Sequence, residues 1–137
     1  MSLRFDRVMD EREAGQLNAL QLAYLGDTVW ELIVRHGLVW RKMNVKHMHG
    51  KCVSLVNAGA QARILAGITD RLTEAEREIV RRGRNAHAKH PVPHHQEAED
   101  YAMATGFEAL LGYLYLTGQN ERIREMIQQI QEVNEDG

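Results

Sequence analysis

The chain has one cysteine, Cys52, so an intrachain disulfide is excluded and a reducing compartment, the cytoplasm, is expected. It has two prolines, Pro91 and Pro93, both within one stretch, Gly83 to His95, which is expected to be a loop. No apolar run reaches the ~20 residues needed to cross a bilayer, so no membrane association is expected. Residues 1–6 lack the apolar centre of a signal peptide. No alternation of period two and no internal repeat occurs, and strands are therefore not expected. There is no HExxH helix and no cysteine pair, so the histidines at 47, 49, 87, 90, 94 and 95 have little to make a zinc site with. Acid is missing from two long stretches. Leu32 to Thr69 has no Asp or Glu but carries Arg35, Arg41, Lys42, Lys46, Lys51 and Arg63. Ile79 to Gln96 also has none and carries Arg81, Arg82, Arg84 and Lys89. A net charge of −2 says nothing of nucleic acid, but charge sorted along the chain in this way can present a basic face to phosphate.

At 137 residues the chain is expected to form a single domain with a real core. Helical spacing and capping residues predict its elements. Residues 3–15 predict a short helix. A long helix is expected from about Asn18 to His36-Gly37, and another from Asn44 through Ala66 with Val45, Met48, Cys52, Leu55, Val56, Ala62 and Leu65 on one face. Thr73 with Glu76 three residues on is a capping box, opening a helix to about Arg82. Gln96 to Leu116 and Asn120 to about Val133 complete an all-α bundle, with Gly118 closing the first of these two helices.

Two of these helices carry features that packing alone does not explain. In Leu20 to Val34, apolar residues surround Gly26 and Asp27. Gly26 costs a mid-helix position on the order of 1 kcal/mol against Ala, and Asp27 is a charge that is expensive to bury unpaired. In Ala102 to Leu116, Glu108 is the one carboxylate, among the small residues Ala104, Gly106, Ala109 and Gly112, which permit close approach. Neither acid has a basic residue three or four positions away, and Glu31 adds negative charge one turn from Asp27. Two lone carboxylates on glycine-bearing core helices can face each other, and facing oxygen ligands suit a hard cation such as Mg²⁺.

Leu22-Ala23-Tyr24-Leu25-Gly26-Asp27 resembles the signature of ribonuclease III catalytic domains, and Phe107-Glu108-Ala109-Leu110-Leu111-Gly112 resembles their second acidic motif. Ser54-Leu55-Val56-Asn57 and Ala62-Arg63-Ile64-Leu65 look like the helix between them. Nearly the whole chain is covered, with order and spacing kept. The similarity is to the short bacterial Mini-ribonuclease III branch, a catalytic domain without a double-stranded-RNA-binding domain. Ala23 and Thr105 stand where the wider family carries two further carboxylates, a loss shared by that branch.

The resemblance implies a ribonuclease III-like helical bundle and an endoribonuclease that cuts double-stranded RNA. The substrate it points to is precursor large-subunit (23S) ribosomal RNA, with assistance from a ribosomal protein left open. Asp27 and Glu108 are implied as catalytic residues and ligands of Mg²⁺, for which Mn²⁺ can substitute. Few protein ligands would then leave the cation's other positions to water and phosphate oxygen. Gly83-Arg84-Asn85-Ala86 after Arg81-Arg82 resembles the branch's lead into a loop, and Arg81, Arg82, Arg84, Asn85 and Lys89 are the candidate RNA contacts. A homodimer joined through the signature helix is implied as well. The rival readings are a catalytically inactive ribonuclease III fold that binds RNA or ribosomes, and a helical adaptor unrelated to RNA.

Overall fold

Asn18 opens the long helix on which the sequence centres. Its Oδ1 accepts from the Leu20 N–H at 2.7 Å, and Gln21 Oε1 accepts from the Asn18 N–H at 3.0 Å. The computed structural model describes residues 1–87 and 95–136, and among them are seven α-helices and no strand. They are α1 (Glu11–Gly15), α2 (Ala19–Trp40), α3 (Val45–Val56), α4 (Ala58–Ile68), α5 (Glu74–His87), α6 (His95–Leu116) and α7 (Asn120–Asp136).

Several boundaries differ from the expected ones, each for a local reason. Residues 1–10 are not helical: Asp10 is the N-cap of α1, and the Met9 N–H donates to the Leu116 carbonyl at 2.9 Å, tying this segment to the end of α6. Helix α2 runs through Gly37 because Leu38, one residue on, is buried in the core; Lys42, at φ +60°, makes the turn expected at Gly37. The single helix expected from Asn44 to Ala66 is two. Asn57 breaks it, with extended backbone and a side chain that serves both ends. Its Nδ2 donates to the Val53 carbonyl at 3.1 Å, and its Oδ1 accepts from the Ala60 N–H at 2.9 Å. Helix α5 continues five residues past Arg82, so Gly83-Arg84-Asn85-Ala86 is helix rather than loop. Its capping box is formed: the Glu76 N–H donates to Thr73 Oγ1 at 3.1 Å, and the Thr73 N–H donates to Glu76 Oε1 at 2.9 Å.

Helix α6 is the axis of the bundle. Phe107, Leu110, Leu111 and Leu114 on it are fully enclosed, together with Leu22, Leu65, Ile68 and Met126 from the helices around it. Trp30 stands edge-on to Phe107, with ring centroids 5.2 Å apart, and donates its indole N–H to the Leu55 carbonyl at 2.9 Å. One residue thereby joins α2, α3 and α6. Two pairs of glycines let backbones touch. A Cβ on Gly26 would lie 1.6 Å from the Glu108 carbonyl oxygen, and one on Gly112 would lie 1.9 Å from the Leu22 carbonyl oxygen, so α2 and α6 cross in direct backbone contact. Gly83 and Gly106 do the same for α5 and α6. Behind them Glu76 of α5 and Arg122 of α7 form a largely buried ion pair, the guanidinium donating to both carboxylate oxygens at 2.7 and 2.8 Å.

Candidate active site

The glycine crossing fixes the site. Because Gly26 lies against the backbone of Glu108, the next residue on α2, Asp27, is carried to the Glu108 side chain. The two carboxyl groups are within hydrogen-bonding reach of each other. They are unequal in setting. Asp27 is exposed, contrary to the expectation of two buried acids, and Glu108 is partly buried. Burial first, then the hydrogen bond with Asp27 and that acid's negative charge, together push the Glu108 carboxyl up to about 8, against a smaller lowering by the Gln61 amide. In the metal-free protein Glu108 therefore keeps its proton well above the usual carboxylate range.

Among the described residues nothing cationic compensates the pair. Among the described residues no Lys or Arg forms an ion pair with either acid, and no group of three His, Cys, Asp or Glu is clustered to hold a metal. Glu31 does not join them; it pairs with Arg35 at 2.8 Å on the surface. Ala23 is buried, and Thr105 turns its hydroxyl back to the Tyr101 carbonyl at 2.8 Å. Two carboxylates with no counter-charge among the described residues, near a buried glutamine whose amide oxygen has no hydrogen-bond partner, fit a hard divalent cation with water in its remaining positions. That oxygen is Oε1 of Gln61, on α4, a residue 1% exposed.

Known proteins resemble this chain in sequence and fold. The profile of the ribonuclease III domain matches residues 20–119. A Mini-ribonuclease 3 of Symbiobacterium thermophilum is 48% identical over 113 residues, covering 82% of this chain and 86% of the relative. Another, from Synechococcus, is 42% identical over 128 residues, covering 93% and 91%. The chain belongs to the ribonuclease III family, in its Mini-ribonuclease III branch. A crystal structure of a Fusobacterium nucleatum protein, 27% identical, superposes with a TM-score of 0.77 and covers 90% of this chain and 98% of that one. Membership gives the reaction class, that of a ribonuclease III-type endonuclease.

The expected RNA contacts separate into three kinds. Arg81 and Arg84 are exposed at the surface of α5, the first paired with Glu78 and the second with Glu99 at 2.7 Å. Exposed pairs of this kind are worth little and exchange readily for phosphate. Asn85 is exposed on the same helix. Arg82 departs from expectation: it is half-buried, and its guanidinium donates to the carbonyls of Gly15, at 2.9 Å, and Leu17, clamping α5 to the end of α1. Lys89, with His90, Pro91, Pro93 and His94, lies outside the described residues.

Gln61 went unnoticed in the sequence. The signal it offered was a long polar residue at position 61 on the stripe Gln61, Leu65, Ile68, where an apolar side chain continues the pattern.

Proposed function

We propose that this protein is an Mg²⁺-dependent endoribonuclease that cuts double-stranded RNA, with Asp27 and Glu108 as the ligands of the cation. The observation that carries the reading is the contact between two carboxyl groups, with no cationic partner among the described residues, held at a backbone-to-backbone helix crossing. When bound, the cation supplies an activated water and charge neutralisation at the scissile phosphate. The chain's own contribution is placement. Glu108, anchored in the bundle, and Asp27, at the surface, would hold the cation, and the exposure of Asp27 leaves the pair open to a phosphate from solvent. The rigid crossing at Gly26 and Gly112 keeps their separation fixed, so no reorganisation is needed when RNA binds.

Substrate capture falls to the domain's own basic surface. The acid-free stretch from Leu32 to Thr69 spans the second half of α2 with α3 and α4; Arg81, Arg84 and Asn85 lie on α5, and Lys89 follows in the second acid-free stretch of the sequence. This distribution supports recognition of a structured RNA, and precursor large-subunit ribosomal RNA, matured in the cytoplasm, is the substrate we assign. A second copy of the chain completes the enzyme. Leu20, Tyr24, Leu32 and Val39 are exposed apolar residues on the solvent side of α2, the side that carries Asp27. Pairing through that side covers them and sets two cutting sites at a fixed spacing on one duplex.

The test uses a duplex RNA of large-subunit precursor sequence, with Mg²⁺ and with EDTA, and light scattering of the active sample. Staggered cuts that need Mg²⁺, from a species of twice the 15.7 kDa chain mass, are expected. Tight binding without cuts would instead favour a binding protein.

A further inference from the structure

The inner face of α4 is apolar apart from one residue. Ala60, Ala62, Leu65 and Ile68 are buried along it, and Gln61 is enclosed with them at 1% exposure. Its Nε2 donates to the Val56 carbonyl at 3.0 Å, at the end of α3 where that carbonyl has no helical partner. Its Oε1 is buried and meets no donor among the described residues. A leucine at this position would extend the stripe without leaving a polar atom unpaired. The amide is thus a cost to the packing, and its neighbour shows where it is used: it lies close enough to Glu108 to lower that carboxyl against the rise that burial causes.

The chemistry of an amide suits that place better than any charged side chain. A lysine or arginine beside Glu108 would hold the carboxylate equally well but would cancel the negative charge that a cation needs. A glutamate would add charge but could donate nothing to an ionised neighbour. Glutamine donates without altering the charge, and it keeps an oxygen free to accept. Few protein ligands raise the importance of orientation, and here Ala23 and Thr105 leave only two carboxylates to define the site.

We infer that Gln61 is a positioning residue of the carboxylate site: its amide ties the end of α3 to the Glu108 side chain, holds that carboxylate toward Asp27, and offers Oε1 as acceptor to a water that enters with the divalent cation. This rests on the proposal that Asp27 and Glu108 hold the cation.

The test measures binding of Mg²⁺ or Mn²⁺ alone to the full chain without RNA, by calorimetry and by metal-dependent thermal shift. Wild type is compared with Gln61→Leu, Gln61→Met and Glu108→Gln. Groups that orient metal ligands are typically worth ~10–100-fold in metal affinity, and a loss of that size is expected in both Gln61 variants. Their metal-free melting temperatures should stay within roughly 5 °C of wild type, because the lost bond to Val56 is offset by removal of the unpaired oxygen. Folding is checked by circular dichroism; Met matches Gln in length and keeps the helix propensity of α4. Metal affinity within twofold of wild type in a folded Gln61 variant overturns the inference, as does failure of both variants to fold, which would make Gln61 a core residue only. Glu108→Gln separates the two levels. If it loses the metal while the Gln61 variants keep it, the metal site stands and Gln61 has no part in it; if it binds metal like wild type, the metal site itself is wrong.

Discussion

At the scale of single residues, the site is a contest between a carboxylate's surroundings and its charge. Burial and the nearby Asp27 raise Glu108 from 4.5 to about 8 in the folded metal-free protein. The folded state therefore keeps this proton over a range in which the unfolded chain has already released it. Stability falls as pH rises wherever the native state binds more protons than the unfolded one. From this group, the metal-free protein is predicted to be most stable below about pH 4.5, to lose that increment up to about pH 8, and to level off beyond. Glu108→Gln should flatten the decline, and saturating Mg²⁺ should do the same by supplying the missing counter-charge. Thermal melts in EDTA across this range decide it; a wild-type curve indistinguishable from that of Glu108→Gln would show that the carboxyl is not strained by its setting. Asp27 and Glu108 were legible in the sequence because each is an acid without a helical counter-charge. Gln61 was not, since its unpaired oxygen and its nearness to Glu108 exist only once α4 is laid beside α6.

Among the helices, glycine decides geometry at some positions and touches nothing at others. Gly26 and Gly112 sit where a methyl group would meet backbone at 1.6 and 1.9 Å, and backbone cannot yield as a flexible side chain does. Gly26→Ala or Gly112→Ala should destabilise the fold by ~3 kcal/mol or more, and any folded remainder should cleave poorly because Asp27 is pushed from Glu108. Gly37 lies in the same helix with nothing within 4 Å, so Gly37→Ala should stabilise by roughly 0.5–1 kcal/mol. Denaturant melts of the three variants test the contrast, and equal effects at Gly26 and Gly37 would refute the crossing. The ion pair of Arg122 with Glu76 is a second joint. Arg122→Ala leaves a buried carboxylate alone and should cost about 3 kcal/mol. Caps at Asn18, Asn44 and Thr73 were readable because capping is local chemistry. The break at Asn57 was hidden because the apolar spacing runs on across it, and the extension of α5 was hidden because Gly83 reads as a stop until Gly106 is placed against it.

For the whole molecule, the question is how one small domain finds and cuts a duplex. Charge-removing substitutions at Arg81, Arg84 and Lys89 should weaken RNA binding at all sequences and flatten its salt dependence, by roughly one unit of log–log slope for each phosphate no longer neutralised. Arg82→Ala should act otherwise, lowering the melting temperature by freeing α5 from Gly15 and Leu17, with little change in salt slope. A drop of a full unit of slope in the Arg82 variant would put that residue on the RNA after all. The central claim is that Asp27 and Glu108 together hold the cation that cleavage needs, and the most direct measurement is duplex cleavage by Asp27→Asn and Glu108→Gln at saturating Mg²⁺, with RNA affinity measured in EDTA alongside. Cleavage by each variant is predicted to fall by at least ~10²–10³-fold while RNA affinity and fold are kept; near-normal cleavage by either variant would contradict the account.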